Sequence, residues 1–187
     1  DITVSRVEVM DCSGYGIDPH ERTTRLTIED SVSHGNGLDG FTLDHIIDGI
    51  IRNNVAYNND RHGFNVVTQT NNTVMEDNVS YGNGGNGIVV QRGSFDVPYP
   101  EAIQIIGGAV YDNVAEGILL KMTNDVIIDG VHVYGNGKDG LRIAGGSDAT
   151  VINSVIENNS QSRAGYYSEI AIAAYTDAVT GLILVPQ

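Results

Sequence analysis

Three ionisable side chains lie within six residues near the start of the chain, and four more follow at longer spacing. They are Tyr15, Asp18, His20, Asp44, Arg61, His62 and Lys121. Tyrosine and histidine can serve as the general base and general acid of a proton transfer. An aspartate can orient a neighbouring histidine or hold its charge, and arginine binds carboxylates with two parallel hydrogen bonds. These residue types suit the removal of a proton next to a carboxylate, provided that the fold brings them together.

Other kinds of catalytic site find little support in the sequence. It has no Ser-His-Asp arrangement for nucleophilic catalysis and no close set of His and Cys ligands for zinc. The single Cys12 excludes an internal disulfide. We therefore predict no metal-binding residues from the pattern itself.

The element that must position these residues is a repeat, in which a glycine is followed by a large apolar residue about every 24 residues. Its members are Gly16-Ile17, Gly40-Phe41, Gly63-Phe64, Gly87-Ile88, Gly117-Ile118 and Gly140-Leu141. An asparagine precedes five of the six glycines by four residues, and Cys12 takes this place in the first repeat. A fixed period of this length indicates a stacked-repeat fold.

Each repeat contains short, β-branched strands separated by Asn- and Gly-rich turns, and no helix-forming segment lies between them. The pattern predicts an all-β chain: one domain over residues 1–187, a right-handed parallel β-helix of about seven coils. We expect the asparagines to form a ladder inside one turn. Two G-N-G-x-D-G strings partly resemble a calcium-binding nonapeptide roll, but that roll requires repeats in immediate tandem, and these strings are 100 residues apart.

Counting from each glycine places residues of different coils in columns. The first and third positions after the glycine are apolar and should point inward, so the second and fourth should point outward to an exposed face. Because neighbouring coils are about 4.8 Å apart, His20 should lie directly against Asp44. Tyr15 and His62, both just before a glycine, should lie two coils apart, roughly 10 Å. Lys121 is at the fourth position after its glycine, like His20 and Asp44, and should lie farther along the same face.

Composition limits the partners. The formal net charge of −14 argues against nucleic acid as a partner. The sequence contains no run of 18 apolar residues, so no transmembrane helix is predicted. A long open face on a β-helix suits a linear polymer, and the ionisable cluster favours a uronic-acid polysaccharide. Since the chain begins inside a repeat and ends on an apolar stretch, we expect further coils beyond both ends.

Several strings resemble the catalytic A-modules of secreted mannuronan C5-epimerases. The string Y-G-I-D-P-H-E at Tyr15–Glu21 is similar to the family motif Y-G-F-D-P-H-E. Further similar strings are Asn36–Phe41, Asn59–Thr68, Val89–Gly93 and Glu116–Thr123. The resemblance covers most of the chain and weakens after about Ala149.

The resemblance implies a right-handed parallel β-helix that converts β-D-mannuronate to α-L-guluronate within alginate, with calcium dependence and a secreted, monomeric protein. By their place in the motifs, Tyr15, Asp18, His20 and His62 would be catalytic, and Asp44, Arg61 and Lys121 would bind substrate. Which of Tyr15 and His20 is base and which is acid stays open. Ile17 stands where the motif has Phe, and further family site residues would lie upstream of this chain.

Two other functions remain as alternatives at this point. An alginate lyase would begin with the same removal of the C5 proton and then eliminate the 4-O-linked sugar. A non-catalytic β-helix that binds polysaccharide would not need Tyr15, Asp18, His20, Asp44 and His62 on one face.

Overall fold

In the computed structural model, the strand after each repeat glycine pairs in parallel with the equivalent strand of the next coil. The structure describes residues 1–20, 22–93, 97–176 and 183–186. Phe41 pairs with Phe64, Phe64 with Ile88, and Ile88 with Ile118. Every coil thus contributes one rung to a parallel stack, which confirms the predicted right-handed parallel β-helix.

The strands described in these ranges are short except for two. They are β1 (Ile2–Ser5), β2 (Glu8–Met10), β3 (Leu26–Glu29), β4 (Val32–His34), β5 (Phe41–Asp44), β6 (Ile50–Arg52), β7 (Val55–Tyr57), β8 (Phe64–Val67), β9 (Asn71–Glu76), β10 (Val79–Tyr81), β11 (Ile88–Gln91), β12 (Glu101–Ile106), β13 (Ala109–Tyr111), β14 (Ile118–Asp129), β15 (His132–Tyr134), β16 (Leu141–Ile152), β17 (Val155–Glu157), β18 (Ile170–Ala173), β19 (Tyr175–Thr176) and β20 (Ile183–Leu184).

These strands form three faces. The first face holds β5, β8, β11, the starts of β14 and β16, and β18; the second holds β1, β3, β6, β9, β12 and the ends of β14 and β16. The third is a separate sheet of seven strands, in the order β17-β15-β13-β10-β7-β4-β2, while β19 and β20 form an antiparallel pair. Seven rungs on the third face correspond to about six full turns, against the seven coils predicted.

The core lies inside the stack and is built from the inward residues of each rung. Phe41 and Phe64 are fully buried and stack with ring centroids 4.7 Å apart. Leu43 and Val66, two residues farther along their strands, are also fully buried. Burying such side chains contributes about 1.5–3 kcal/mol each. The inward positions predicted from the repeat are therefore confirmed.

The repeat glycines and asparagines are structural, as predicted. The side-chain amide of Asn36 donates to Oδ1 of Asn59 at 2.8 Å, and Asn59 donates in the same way to Asn83 at 2.9 Å. A Cβ at Gly40 would lie 2.8 Å from the Asn59 amide nitrogen and 2.9 Å from the Gly63 carbonyl oxygen. The position excludes a side chain because the ladder and the next coil occupy that space.

The outward positions differ in depth. Asp44, at the fourth position after its glycine, is partly exposed, whereas Thr42 and Asn65, at the second position, are only 4% and 5% exposed. The expectation that both positions lie on an exposed face is therefore wrong for Thr42 and Asn65, whereas Asp18 and Arg142, at the same position of other coils, are partly exposed. Both Thr42 and Asn65 donate hydrogen bonds to Asp39, whose side chain lies over them on the first face.

In the described part of the chain, no helix is long and apolar enough to cross a membrane.

Candidate functional site

Three successive rungs of the first face bring six of the seven predicted residues to one place. Ile17 forms a bridge to Phe41, and Phe41 pairs with Phe64, so the residues around these three positions stack in order. Together with Asp39, these residues are called the three-rung cluster below: Tyr15, Asp18, His20, Asp39, Asp44, Arg61 and His62. The rungs are equivalent in backbone, and the side chains they carry decide the chemistry.

His20 lies between two carboxylates. Its Nε2 is 2.9 Å from Oδ2 of Asp18, and its Nδ1 is 3.2 Å from Oδ2 of Asp44. The predicted contact between His20 and Asp44 is thus present. A neutral imidazole has one N–H and could donate to only one of these oxygens, whereas an imidazolium donates to both. Each ring nitrogen of His20 therefore has a carboxylate oxygen within hydrogen-bond distance, and the two carboxylates fix the orientation of the imidazole.

Asp18 is the least exposed member of this triplet. Burial raises the pKa of its carboxyl group; His20 opposes that effect, and the nearby charges of Asp44 and Asp39 add to it. Its second oxygen, Oδ1, is buried and has no hydrogen-bond partner among the residues that the structure describes. A carboxyl group with a raised pKa beside a histidine can share a proton with it, which is the property that an acid–base pair needs.

Asp39 is the buried centre of the cluster, and its side chain is inaccessible to solvent. It accepts hydrogen bonds from Nε of Arg61 at 2.6 Å, from the Asn65 amide at 2.9 Å and from the Thr42 hydroxyl at 3.2 Å. The backbone N–H of His62 also donates to it, at 3.1 Å. Burial on its own would raise the pKa of Asp39, but the hydrogen bonds from Arg61 and Asn65 hold it below its usual value. Asp39 is therefore an anion.

Arg61 connects Asp39 to Tyr15. Its Nε and Nη2 atoms donate to the two carboxylate oxygens of Asp39, and its Cζ lies 5.3 Å from the centroid of the Tyr15 ring. The pKa of Arg61 is raised, chiefly by the hydrogen bonds to Asp39 and to a smaller extent by the Tyr15 phenol. The guanidinium is thus a permanent positive charge beside the phenol, with its side chain 39% exposed toward the first face.

His62 is held as a neutral imidazole. The backbone N–H of Asn86 donates to its Nδ1 at 2.9 Å, so the ring proton must be on Nε2. Burial lowers the pKa of His62, the Arg61 charge lowers it further, and Asp39 opposes both. The Nε2–H group is consequently a hydrogen-bond donor rather than a charged group.

Lys121 is separated from the three-rung cluster. It lies in the same column as Asp44, but Val67 and Gln91 occupy the two rungs between them. Three rungs correspond to about 14 Å along the stack. The ammonium group of Lys121 lies 4.8 Å from the centroid of the Tyr175 ring, so its contact is with the C-terminal segment.

No group of three or more His, Cys, Asp or Glu side chains within the described ranges is arranged to hold a metal ion. Gly87 and Gly117 are 30 residues apart, and the loop over 93–101 that this longer gap contains is described only in part, because Ser94–Asp96 lie outside the described residues. At its described base, Nε of Arg92 donates to the Val97 carbonyl at 2.7 Å, and its guanidinium lies 5.1 Å from the Tyr99 ring centroid.

Sequence reasoning missed Asp39 as a member of the site. Its column was visible, because Asp39 stands between Tyr15 and His62 in the position before the glycine. The available signal was a lone acidic residue with Arg61 at the equivalent turn of the next coil. The supporting roles of Asn65 and Asn86 had no signal, because Asn65 lies within β8 at a position expected to face solvent, and Asn86 donates through its backbone N–H.

Comparisons with known proteins agree with this architecture. A family model described as "Right handed beta helix region" matches residues 1–98 and 92–174. Mannuronan C5-epimerase AlgE5 of Azotobacter vinelandii is 54% identical over 177 residues, which are 95% of this chain and 18% of that protein. Alginate lyase 7 of the same organism is 48% identical over 176 residues, 94% of this chain and 20% of that protein.

A solved structure extends the comparison to three dimensions. The A-module of mannuronan C-5 epimerase AlgE4 from Azotobacter vinelandii superposes with a TM-score of 0.95 at 49% sequence identity, covering 100% of this chain and 50% of that chain. The chain thus spans half of that solved module and about a fifth of the two curated relatives. The chain belongs to the right-handed β-helix family and, within it, is related along its length to part of the A-module of the mannuronan C5-epimerases.

Proposed function

We propose that this chain is part of a catalytic module that epimerises β-D-mannuronate to α-L-guluronate at C5 within polymeric alginate. The observation that carries the proposal is the three-rung cluster: a phenol beside a guanidinium, and an imidazole held between two carboxylates, on one face of the solenoid. The relatives named as mannuronan C5-epimerases support the choice of substrate.

The proposed reaction begins with cleavage of the C5–H bond. Its electron pair delocalises into the adjacent substrate carboxylate, and the proton passes to the catalytic base. The acid then delivers a proton to the opposite side of C5, which inverts that carbon and restores the C–H bond. Tyr15 and His20 are the base and the acid, in an order that the geometry leaves open, and each step conserves atoms and charge.

The other residues stabilise the charges that develop. Arg61 presents a positive charge on the exposed side of Asp39, where a substrate carboxylate can approach. His62 offers its Nε2–H as a neutral donor, while Asp18 and Asp44 lie at the two ring nitrogens of His20 and orient the imidazole. Lys121, three rungs from Asp44, is proposed to bind a different sugar of the same polymer.

An alginate lyase activity on the same cluster is the second candidate. One curated relative is named alginate lyase 7 and is 48% identical over 176 residues. Both reactions start with removal of the C5 proton and differ in whether a proton returns to C5 or the 4-O-linked sugar leaves. A module that only binds polysaccharide is disfavoured, because binding alone does not require an imidazole between two carboxylates.

Calcium dependence, secretion and a monomeric state belong to the proposal through the family resemblance. Within the described ranges, no group of three or more His, Cys, Asp or Glu side chains is arranged to hold a metal ion, and the proposal names no calcium ligand. Titration of turnover with calcium after treatment with a chelator would test the dependence directly.

One incubation tests the proposed function against its alternatives. The complete protein is mixed with polymannuronate and calcium in D2O, and the product is examined by NMR and ultraviolet absorbance. Deuterium at C5 together with guluronate signals is expected. Unsaturated uronate without guluronate would support the lyase instead, and intact protein that causes neither change would contradict both enzymatic functions.

A further inference from the structure

Asp39 has no access to a substrate, yet it is the most extensively hydrogen-bonded side chain of the three-rung cluster. Its side chain is fully buried and accepts bonds from Arg61, Asn65, Thr42 and the backbone of His62. These donors come from two neighbouring coils. A buried carboxylate with this many donors fixes the groups around it and does not itself exchange protons with solvent.

We propose that Asp39 is a positioning residue for proton transfer, which holds the Arg61 guanidinium against Tyr15 and fixes the backbone that carries His62. The proposal rests on the proposed epimerase function, because it concerns how the same cluster is aligned. Asp39 would act only through Arg61 and His62, without contact to the polymer.

The geometry of the pair supports this role. The two carboxylate oxygens accept hydrogen bonds from Nε and Nη2 of Arg61. This bidentate pair fixes the plane of the guanidinium group. The remaining terminal nitrogen, Nη1, lies outside this pair, and the guanidinium carbon is 5.3 Å from the centroid of the Tyr15 ring. Asp39 therefore determines which nitrogen of Arg61 can meet the Tyr15 oxygen or a substrate carboxylate.

The same carboxylate also reaches the second imidazole. Asp39 accepts from the backbone N–H of His62, while the ring of His62 accepts from the Asn86 backbone N–H on the next coil. His62 is thus fixed at its backbone from one side of the stack and at its ring from the other. Loss of the Asp39 charge would loosen Arg61 and His62 together.

A second buried aspartate in the chain provides a matched control. Asp139 also stands before a repeat glycine, is 2% exposed, and pairs with Arg142 at 3.1 Å and with the backbone N–H of Ser168 at 2.7 Å. The pair of Asp139 and Arg142 lies outside the three-rung cluster. Asp139→Asn therefore removes the same buried charge from the same type of turn without touching Tyr15 or Arg61.

The test compares Asp39→Asn, Arg61→Lys, their double variant and Asp139→Asn in the complete protein, with kcat and KM measured on polymannuronate. We expect Asp39→Asn and Arg61→Lys each to lower kcat by about 100-fold, the size expected for misplacement by about 1 Å, with little change in KM. The double variant should be no worse than the poorer single variant, because both changes break one alignment. Asp139→Asn should keep kcat close to the wild-type value.

Nitrogen-15 NMR of the Arg61 Nε–H group gives a readout that does not depend on turnover. The group should exchange slowly with water in the wild type and in Asp139→Asn, and rapidly in Asp39→Asn. Wild-type kcat in either Asp39→Asn or Arg61→Lys would overturn the proposal, as would full additivity in the double variant. If the wild-type protein lacks turnover, the proposed function fails, and an Arg61 group that exchanges equally fast with and without Asp39 would overturn the positioning role as well. If Asp39→Asn does not fold, Arg61→Lys decides the outcome.

Discussion

Two turns of the solenoid carry the same N-G-x-D-G pattern, at 36–40 and 136–140, and they do different things. The ladder bond from Asn36 to Asn59 is 2.8 Å, and the bond from Asn136 to Asn159 is also 2.8 Å. The aspartate of each turn is buried and paired with an arginine. The backbone turn is therefore a reusable structural unit, and it does not by itself create a site.

The difference lies in which coil supplies the arginine. Asp39 pairs with Arg61 of the following coil, and that arginine also lies against Tyr15 of the preceding one. Asp139 pairs with Arg142, three residues along its own strand. A pair that crosses coils links three rungs into one polar network, whereas a pair within one coil stays local. The comparison indicates that contacts between coils make the candidate site.

The largest expected effect comes from removing the proposed proton-transfer groups, which lie one coil before the 36–40 turn and contact Arg61 and Asp44. Tyr15→Phe and His20→Ala should each lower turnover of polymannuronate by at least about 100-fold, the usual lower range for a general acid or base. Two controls use similar groups elsewhere: Tyr166, which lies beside Arg163, and His132, which lies beside Glu157. Tyr166→Phe and His132→Ala should keep full turnover.

The measurement is NMR of the guluronate formed, with circular dichroism to confirm that all four proteins keep their β-sheet signal. Turnover that survives in both Tyr15→Phe and His20→Ala would show that the cluster around the 36–40 turn does not carry out the proton transfer. An equal loss in the Tyr166 and His132 controls would point to a general effect on the fold.

An intermediate effect should appear when the ladder is cut at either turn. Asn36→Ala and Asn136→Ala each remove a fully buried amide that bonds to the next coil, which should lower the free energy of unfolding by about 1–3 kcal/mol. The loss should be somewhat larger for Asn136→Ala, because Asn136 also accepts from the Asn113 amide, whereas Asn36 begins the ladder and accepts only from the Cys12 backbone N–H. Urea unfolding followed by circular dichroism measures them.

Turnover of the two ladder variants then separates structure from chemistry. Under conditions where both proteins are fully folded, only Asn36→Ala should lose activity, because its turn carries Asp39. If both variants lose turnover equally, the distinction between the two turns is wrong.

The smallest expected effect concerns pH. Because burial lowers the pKa of His62, the unfolded chain takes up a proton near pH 6.5 that the folded chain resists. Protons therefore favour unfolding, and the free energy of unfolding should fall as the pH is lowered from 7 to 5. His62→Gln should flatten this part of the curve, and His132→Gln, which changes an exposed histidine, should not.

Chemical unfolding at several pH values in that range provides the measurement. An unchanged slope in His62→Gln would mean that His62 titrates in the folded protein as it does in the unfolded one. The buried Asp39 should affect a separate, lower range: its pKa is held below 3.8, so its contribution persists above that pH and is lost as the pH falls through the folded pKa.

The contact between His20 and Asp44 could be predicted from sequence because strand side chains alternate and parallel rungs have a fixed spacing. The sequence could not predict depth within a column. Tyr15, Asp39 and His62 share the position before a glycine, yet Tyr15 is exposed, His62 partly buried and Asp39 fully buried. Depth depends on the side chains of neighbouring coils, which the repeat does not encode.

Lys121 shows a second limit of repeat-based reasoning. Its column and its distance from Asp44 follow from the period, but its contact with the Tyr175 ring does not. Tyr175 belongs to the short strand pair beyond the regular rungs, where the period gives no register. The Asn ladder, by contrast, was predictable from Asn36 to Asn136 because these members precede a repeat glycine by four residues; its last member, Asn159, has Arg163 at that place.

The ladder also determines where this chain can change its length. Asn83 and Asn113 are 30 residues apart instead of the usual 23 or 24, yet their amide bond is 2.9 Å, like that of the neighbouring pairs. The extra residues fall in the sequence between β11 and β12, and the ladder closes as it does between coils of the usual length. A protein built in this way can acquire or lose surface loops without changing its alignment, so the borders of a polymer-binding groove can diversify while the rungs that carry the chemistry stay in place.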